Sequence, residues 1–241
     1  MVSKHKCQLS FVIPVLNEAK RLPTTLKEIA TFSASIEAAH EWLFIVEPSR
    51  DTSLQIIQAY CTENKNSRYI ANEKQIGKGY AVQSGLLNAR GQWAFFMDAD
   101  LATPLKEIKK FQIEMQNNPE VKVFIGSRRL SNSLVTKPTS LIRQILSLGL
   151  NTLVKTLGLA NFSDTQCGFK AFHFSVISDL FGHLNNKGYS FDIEILSRAK
   201  KKNINVKEVA VEWADIDASK VNPMRDSLRF FIDLIMIRLR L

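Results

Sequence analysis

Hydrophobic residues along this chain come in short unbroken runs separated by stretches with helical spacing. Leu9 to Pro14 is the first run, the pattern of a strand buried on both faces. After Asn17 turns the chain, apolar residues from Leu22 through Ile36 recur at loosely helical spacing, and Trp42 to Val46 is again uninterrupted, bounded by Pro48 and Ser49. Asp51, Thr52 and Ser53 put hydroxyls and a carboxylate just ahead of Leu54, Ile56, Ile57 and Tyr60, which suits a capped helix start. A short strand is expected at Arg68 to Ala71 and a helix from Gly77-Lys78-Gly79 to about Ala89. Trp93 to Met97 reads as a strand that delivers the chain onto Asp98-Ala99-Asp100. Beyond Pro104 the pattern predicts a helix to about Gln116, a strand at Val121 to Ile125 and an apolar-striped helix from Leu141 to Leu159. A strand at Phe169 to Phe174, a helix around Phe191 to Lys202, an alternating strand at Val206 to Trp213 and a terminal helix from Leu228 to Leu241 follow. Such alternation of buried strands and helices predicts an α/β fold, a parallel sheet covered on both faces. With no linker or repeat in view, residues 1–241 are expected to form one domain.

Composition adds a core and a charge. Hydrophobic residues make up 45% of the chain, enough to fill that sheet on both sides, and a formal charge of +9 biases the surface toward anions. Nucleotide phosphates and anionic lipid fit this bias. Nucleic acid is set aside as a partner, because the basic residues are scattered apart from Arg128-Arg129 and Lys200-Lys201-Lys202, and no zinc-finger or homeodomain pattern accompanies them. Cys7, Cys61 and Cys167 are odd in number and widely spaced, so they read as neither a disulfide framework nor a zinc set, and a reducing compartment is expected. Met1 to Cys7 lacks the apolar core of a signal peptide, and no run reaches the ~18 apolar residues of a span. The expectation is a cytoplasmic protein, peripheral on the cytosolic face of a membrane.

The chemistry concentrates in three places. Asp98-Ala99-Asp100 follows a buried strand, and in open α/β sheets ligands bind beyond the carboxyl ends of strands. Two carboxylates there suit Mg2+ or Mn2+ bound together with substrate phosphates, although a solvated acidic turn has the same short pattern. Gly77-Lys78-Gly79 opens a helix whose free N–H groups and dipole favour phosphate, and it serves equally as a plain helix-entry turn. It is not a P-loop, since Ser or Thr does not follow the lysine. Arg128, Arg143 and Lys220 form a dispersed basic set whose relevance depends on convergence in space. His5, His40, His173 and His183 sit in no recognisable motif.

Seven blocks in order then carry a resemblance that runs nearly end to end. They are Phe11 to Glu18, Gly77 to Gly79, Asp98 to Leu101, Gly126-Ser127-Arg128, Asp164 to Lys170, Phe191 to Glu194, and Glu212-Trp213 through Ser219-Lys220. On these the chain resembles the family 2 glycosyltransferases of GT-A fold, and within them the dolichyl-phosphate glucosyltransferase and polyprenyl-phosphate sugar transferase branch. The resemblance implies an open, mostly parallel nucleotide-binding sheet. It implies inverting transfer of a hexose, with UDP-glucose the expected donor, to a polyprenyl phosphate at the membrane surface. Pro14, Leu16 and Glu18 would line the nucleoside pocket, Asp98 and Asp100 would hold metal and donor, and Lys220 would face the diphosphate, with Lys78 and Glu47 counted among the nucleotide-sugar-binding residues. Arg128, Arg143 and Ser147 would lie near the acceptor phosphate, with Arg128 also counted catalytic.

One block departs from the pattern. Where such proteins carry two adjacent aspartates followed by Gly-Ser, this chain has Val46-Glu47-Pro48-Ser49, with Asp51 still matching. Glu47 is expected to supply the donor-binding carboxylate, and Leu16, where Tyr is frequent, leaves uridine and guanosine both open as the base. If the acceptor is instead soluble or protein-bound, a base is needed, and Asp192 and Asp164 are the candidates. A nucleotide-sugar-binding protein without catalysis is the reading from another class. The stripe from Leu141 to Leu159 and an amphipathic helix at about 227–241 are expected to meet an anionic membrane, with core packing as the competing reading.

Overall fold

The structure, a computed structural model, describes residues 7–216 and 223–241, with the backbone alone at 143 and 223–229. Lys220 therefore lies outside the described residues. In chain order the first half comprises β1 (Cys7–Val15), α1 (Leu22–Ser35), β2 (His40–Val46), α2 (Ser53–Glu63), β3 (Ser67–Ala71), α3 (Lys78–Asn88), β4 (Gly91–Met97) and α4 (Glu107–Asn117). The second half comprises β5 (Val123–Ser127), β6 (Leu134–Lys137), α5 (Leu141–Thr156), β7 (Phe169–His173), α6 (Phe174–Phe181), α7 (Phe191–Lys201), β8 (Val206–Ala210), β9 (Glu212–Ala214) and α8 (Pro223–Arg240).

Seven strands form one sheet in the order β3-β2-β1-β4-β7-β5-β8. All neighbours run parallel except β7, which is antiparallel to both β4 and β5. Residue spacing predicted this strand but not its direction, because alternation reports which face is buried and is blind to polarity. The direction matters for the site: Phe169 opens β7 opposite Met97, the last residue of β4. The predicted strand from Val206 to Trp213 is in fact two. Its first part extends the large sheet beside β5, and after the buried Val211 the chain leaves to pair β9 with β6 in a separate two-stranded sheet. Neither β6 nor α6 was anticipated; β6 is exposed throughout and so carries no alternation to read.

Alternate residues of each strand feed two cores, one per face. Phe11, Ile13, Trp42, Phe44, Phe95, Phe124 and Phe169 pack with α1 and α4 on one side. Val12, Leu43, Ile45, Phe96 and Phe172 pack with α3, α6 and α7 on the other. Gly85 of α3 is required there, because a Cβ would stand 2.2 Å from Val12 Cγ1, so only glycine lets α3 lie flat on β1.

The two helices expected to face a membrane divide their residues. On α8, Phe230, Leu234 and Ile237, spaced along one stripe, are buried in the core on the α3 side, whereas Phe231, Ile232, Ile235, Met236 and Leu239 are exposed. On α5 the later turns pack inward through Val154, helped by Leu150, Leu153 and Leu157, but Leu141, Ile142, Ile145, Leu146 and Leu148 in the earlier turns stand in the open. Among the described residues no helix is long and apolar enough to cross a membrane. Because Leu234 is 0% and Leu239 76% exposed, Leu234→Ala is expected to destabilise the fold by about 2–5 kcal/mol in urea unfolding. Leu239→Ala should stay within about 0.5 kcal/mol of wild type.

Candidate active site

Strand order reverses between β1 and β4, and the carboxyl ends of β1, β2 and β4 open onto one crevice, the place where a sheet of this kind accepts a ligand. The loops after β1 and β2 are laced into one wall. Backbone N–H groups of Asn17, Glu18 and Ala19 donate to Ser49 Oγ at 3.0 Å, Ser53 Oγ at 2.8 Å and Asp51 Oδ2 at 3.0 Å, and Arg50 N–H returns a bond to Asn17 Oδ1 at 2.7 Å. Asn17 takes a φ of 52° to do so, a conformation its short polar side chain tolerates. This lacing explains why Ser49, Asp51 and Ser53 sit in that block: they hold the neighbouring loop. Pro14, Leu16 and Glu18, at and after the end of β1, are half-buried, with the Glu18 carboxylate 2.9 Å from Arg21.

β4 ends in the acidic turn. Asp98 and Asp100 are half-buried while Ala99 between them is buried. The turn is held by Leu101 N–H donating to the Asp98 carbonyl at 3.2 Å, Ala102 N–H to Asp100 Oδ1 at 3.1 Å, and Thr25 Oγ1 to the Ala99 carbonyl at 2.8 Å. Leu101 sits at φ 50°, a strained conformation for a leucine that the turn imposes. Beside it, the antiparallel return of β7 brings Gly168 against Asp98, where a Cβ would run into the carboxylate. Burial and then the charge of Asp98 push the Asp100 carboxyl above its ordinary range.

Lys78, the first residue of α3, answers these charges: its Nζ lies 2.7 Å from Asp98 Oδ1 and 5.4 Å above the Phe96 ring. Burial works against its charge, but Asp98, Asp192 and Asp100 together hold the ammonium above its usual value. The flanking glycines have a packing cause. Gly77 has φ 137°, and a Cβ there would stand 2.5 Å from the Lys187 carbonyl oxygen, while one at Gly79 would meet the Asn186 carbonyl at 2.8 Å. Glu47, 3% exposed, turns inward and accepts N–H bonds from Ile76 at 3.1 Å and Gly77 at 2.9 Å on Oε1. The carboxylate expected on the nucleoside thus fixes the turn from which Lys78 reaches out.

Under the acidic turn lies a buried ion pair. Lys170, 1% exposed in mid-strand, sits with Nζ 2.7 Å from Asp192 Oδ1 and donates to the Cys167 carbonyl at 2.5 Å. Burial raises the Asp192 carboxyl and Lys170 opposes it. Glu194 has a structural task, accepting from Asn185 N–H at 3.0 Å, Asn186 N–H at 2.7 Å and Arg198, which fastens the loop that packs on Gly77 and Gly79.

Arg128 lies across the crevice with its fork already closed on Asp164: Nε donates to Oδ2 at 2.6 Å and Nη2 to Oδ1 at 2.9 Å, beneath the Trp213 ring at 5.2 Å. That edge of the guanidinium is not open to a phosphate. Asp164 is in turn positioned by Glu208, which accepts its N–H at 3.0 Å. Instead Arg129 reaches α5, its Nη2 donating to Ser147 Oγ at 2.7 Å. Arg143 stands one turn earlier on the same helix, its side chain outside the described set. The sequence reading noted Arg129 only as a charge next to Arg128. Lys170 and Gly168 were likewise missed as site residues, although a lysine inside Phe169-Lys170-Ala171-Phe172 signals a buried charge that needs a partner.

A mostly parallel sheet with paired carboxylates at its switch point and an antiparallel strand beside them is the GT-A architecture of nucleotide-sugar transferases. The glycosyl transferase family 2 profile matches residues 10–181, and the chain belongs to glycosyltransferase family 2. It is 33% identical over 242 residues to the dolichyl-phosphate beta-glucosyltransferase of Dictyostelium discoideum, covering 96% of this chain and 74% of that one. Similarity to the proteins of that name is 33% over 247 residues in Saccharomyces cerevisiae, at 96% and 74% coverage, and 32% over 244 in Homo sapiens, at 97% and 75%. Solved structures share the fold. Mannosyl-3-phosphoglycerate synthase from Rubrobacter xylanophilus superposes with a TM-score of 0.71 at 16% identity, over 97% of this chain and 74% of that one. Glucosyl-3-phosphoglycerate synthase from Mycobacterium tuberculosis, crystallised with Mn2+, UDP-glucose and phosphoglyceric acid, gives 0.68 at 15%, over 97% and 80%.

The Arg128–Asp164 pair generates a prediction. Although burial alone would raise it, Arg128 and the N–H bonds of Arg128 and Gln166 hold the Asp164 carboxyl down at about 2. A depressed folded-state pKa contributes stability above the unfolded value, near 3.9 for an aspartate, and loses it as pH falls toward 2. Asp164→Asn should therefore cost about 3–5 kcal/mol at pH 7. In urea unfolding series from pH 7 to pH 2 that deficit should narrow only below about pH 4.

Proposed function

We propose that this chain transfers a hexose, glucose being the expected one, from a nucleoside diphosphate sugar to the phosphate of a polyprenyl lipid of dolichyl type, with inversion, at an anionic membrane surface. The observation that carries this reading is the electrostatic reach between two devices, since Arg128, next to Arg129 in the chain, feels the charge of Asp98. One is the acidic turn of Asp98 and Asp100 with Lys78 over it. The other is the Arg129–Ser147 contact at the root of an exposed apolar row on α5. The names of the relatives supply the substrate classes.

The donor set at the acidic turn fits a divalent cation. Two half-buried carboxylates on one turn, Asp100 raised by burial and then by the charge of Asp98, present hard oxygen donors of the kind a dication takes. Among the described residues no three His, Cys, Asp or Glu side chains converge as a metal site, and Mg2+ or Mn2+ is commonly held by one or two carboxylates completed by substrate phosphates. Asp98 and Asp100 would hold it, and its chemistry is to neutralise the charge that develops on the departing nucleoside diphosphate.

The chain's own residues do the rest. The laced loops of Asn17 and Ser49 form a stiff wall for the nucleoside, with Pro14, Leu16 and Glu18 on it. Lys78 directs a second positive charge at the diphosphate from a turn that Glu47 fixes, and Lys220 belongs to the same proposal from outside the described residues. On the acceptor side, Arg129, Arg143 and Ser147 receive the lipid phosphate, while Arg128 shapes that wall through its pair with Asp164. A phosphate oxygen is ionised near neutral pH and attacks without a strong base. This agrees with the state of Asp192 and Asp164, engaged by the buried Lys170 and the half-buried Arg128, and weighs against the soluble-acceptor reading that needs one of them as base. The exposed faces of α5 and α8, with Arg238 and Arg240 at the end of the latter, support a peripheral place on a membrane, and the cytosolic face is the side this reading assigns.

The test is transfer of radiolabelled hexose from a panel of nucleotide sugars into organic-extractable product with dolichyl and undecaprenyl phosphate. Label should enter the organic phase, Asp100→Ala should lower the rate about 100-fold or more, and Arg129→Ala should raise KM for the lipid with little change for the donor. Label confined to water-soluble product, or full activity in Asp100→Ala, would overturn the reading.

A further inference from the structure

Lys78 occupies Asp98, one of the two carboxylates that a cation would need. The pair is 2.7 Å apart and both side chains keep contact with solvent, at 26% and 32% exposure. The backbone beneath Lys78 is clamped on two sides, by Glu47 accepting the Gly77 N–H at 2.9 Å and by the loop carbonyl of Lys187 accepting the Tyr80 N–H at 3.3 Å. Its four-carbon stem is the part free to turn about that fixed root. Asp98 meanwhile is seated against Gly168, its carboxylate occupying the space a Cβ would take.

From this geometry we infer that Lys78 is a resident counter-ion that competes with the divalent cation for Asp98 and gives way when the donor's diphosphate offers the ammonium another anion. The inference rests on the metal reading proposed above and adds a consequence to it. Cation and nucleotide bind synergistically. Without nucleotide the cation must displace Lys78 into solvent, leaving an ammonium beside a dication; with nucleotide, Lys78 moves to the diphosphate and the carboxylate is released. Coupling of this kind is reciprocal, so the cation tightens the nucleotide by the same factor. It also keeps the acidic turn from concentrating cations in a donor-free enzyme.

The experiment measures Mn2+ binding by the loss of the free-ion electron paramagnetic resonance signal, with and without uridine diphosphate, in the wild-type chain and in Lys78→Met, which keeps the stem and removes the charge. For the wild type, Mn2+ alone should bind weakly and uridine diphosphate should tighten it. In Lys78→Met, Mn2+ alone should bind about two- to fivefold more tightly, the worth of a partly exposed ion pair, and the tightening by uridine diphosphate should shrink. Circular dichroism of Lys78→Met matching wild type would show that the fold is kept, and Asp98→Asn in each background should lose the site. Equal or weaker Mn2+ binding by Lys78→Met in the absence of nucleotide would overturn this inference alone. No Mn2+ binding by either protein under either condition would overturn the metal reading and the inference with it.

Discussion

Like charges gathered at the open end of a sheet are the constraint on which this structure turns. Asp98 lies within electrostatic reach of both Asp100 and Asp192 where water is partly excluded, and such a group persists only if cations are fixed among them. Lys78 stands above the cluster and Lys170 below it, each 2.7 Å from a carboxylate. Much else follows from placing those two lysines. Glu47 and the loop at Lys187 hold the root of one, and the return of β7 between β4 and β5 carries the other. On the proposed reading, the half-exposed Lys78 is the cation that a metal and a diphosphate replace at Asp98, while the buried Lys170 stays with Asp192.

The proposed acceptor side meets a different problem with the same means. A lipid phosphate must meet a cation near the membrane, and an arginine with a free fork would pair with whatever carboxylate came near. Here Asp164 takes up the Arg128 fork, and Arg129 remains for Ser147 and the helix that rises into the exposed apolar row of Leu141, Ile142 and Ile145. Under that proposal one arginine orients and its neighbour receives, a division that the adjacent pair Arg128-Arg129 conceals in sequence.

Much of the fold was legible because buried parallel strands write themselves as apolar runs, and β1, β2 and β4 appeared within a few residues of their bounds. The exposed β6 left no such trace, and the break at Val211 hid inside a continuous alternation because β8 and β9 share a phase while belonging to different sheets. At the site, Asp98 and Asp100 were legible from their position after a buried strand. The inward turn of Glu47 was not, since its partners Ile76 and Gly77 lie distant in sequence and offer backbone rather than side-chain donors. The same holds for Gly77 and Gly79, whose cause is a loop more than a hundred residues further on. The apolar stripes of α5 and α8 were visible, but their division between core and open surface depends on which neighbours the fold supplies.

The central claim is that the acidic turn after β4 holds the donor diphosphate through a divalent cation. Crystals grown with Mn2+ and UDP-glucose, measured at the manganese absorption edge, test it most directly. An anomalous peak within coordination distance of the Asp98 or Asp100 carboxylate and of the diphosphate oxygens is the predicted result. Nucleotide bound in the crevice with no manganese at those carboxylates would contradict it.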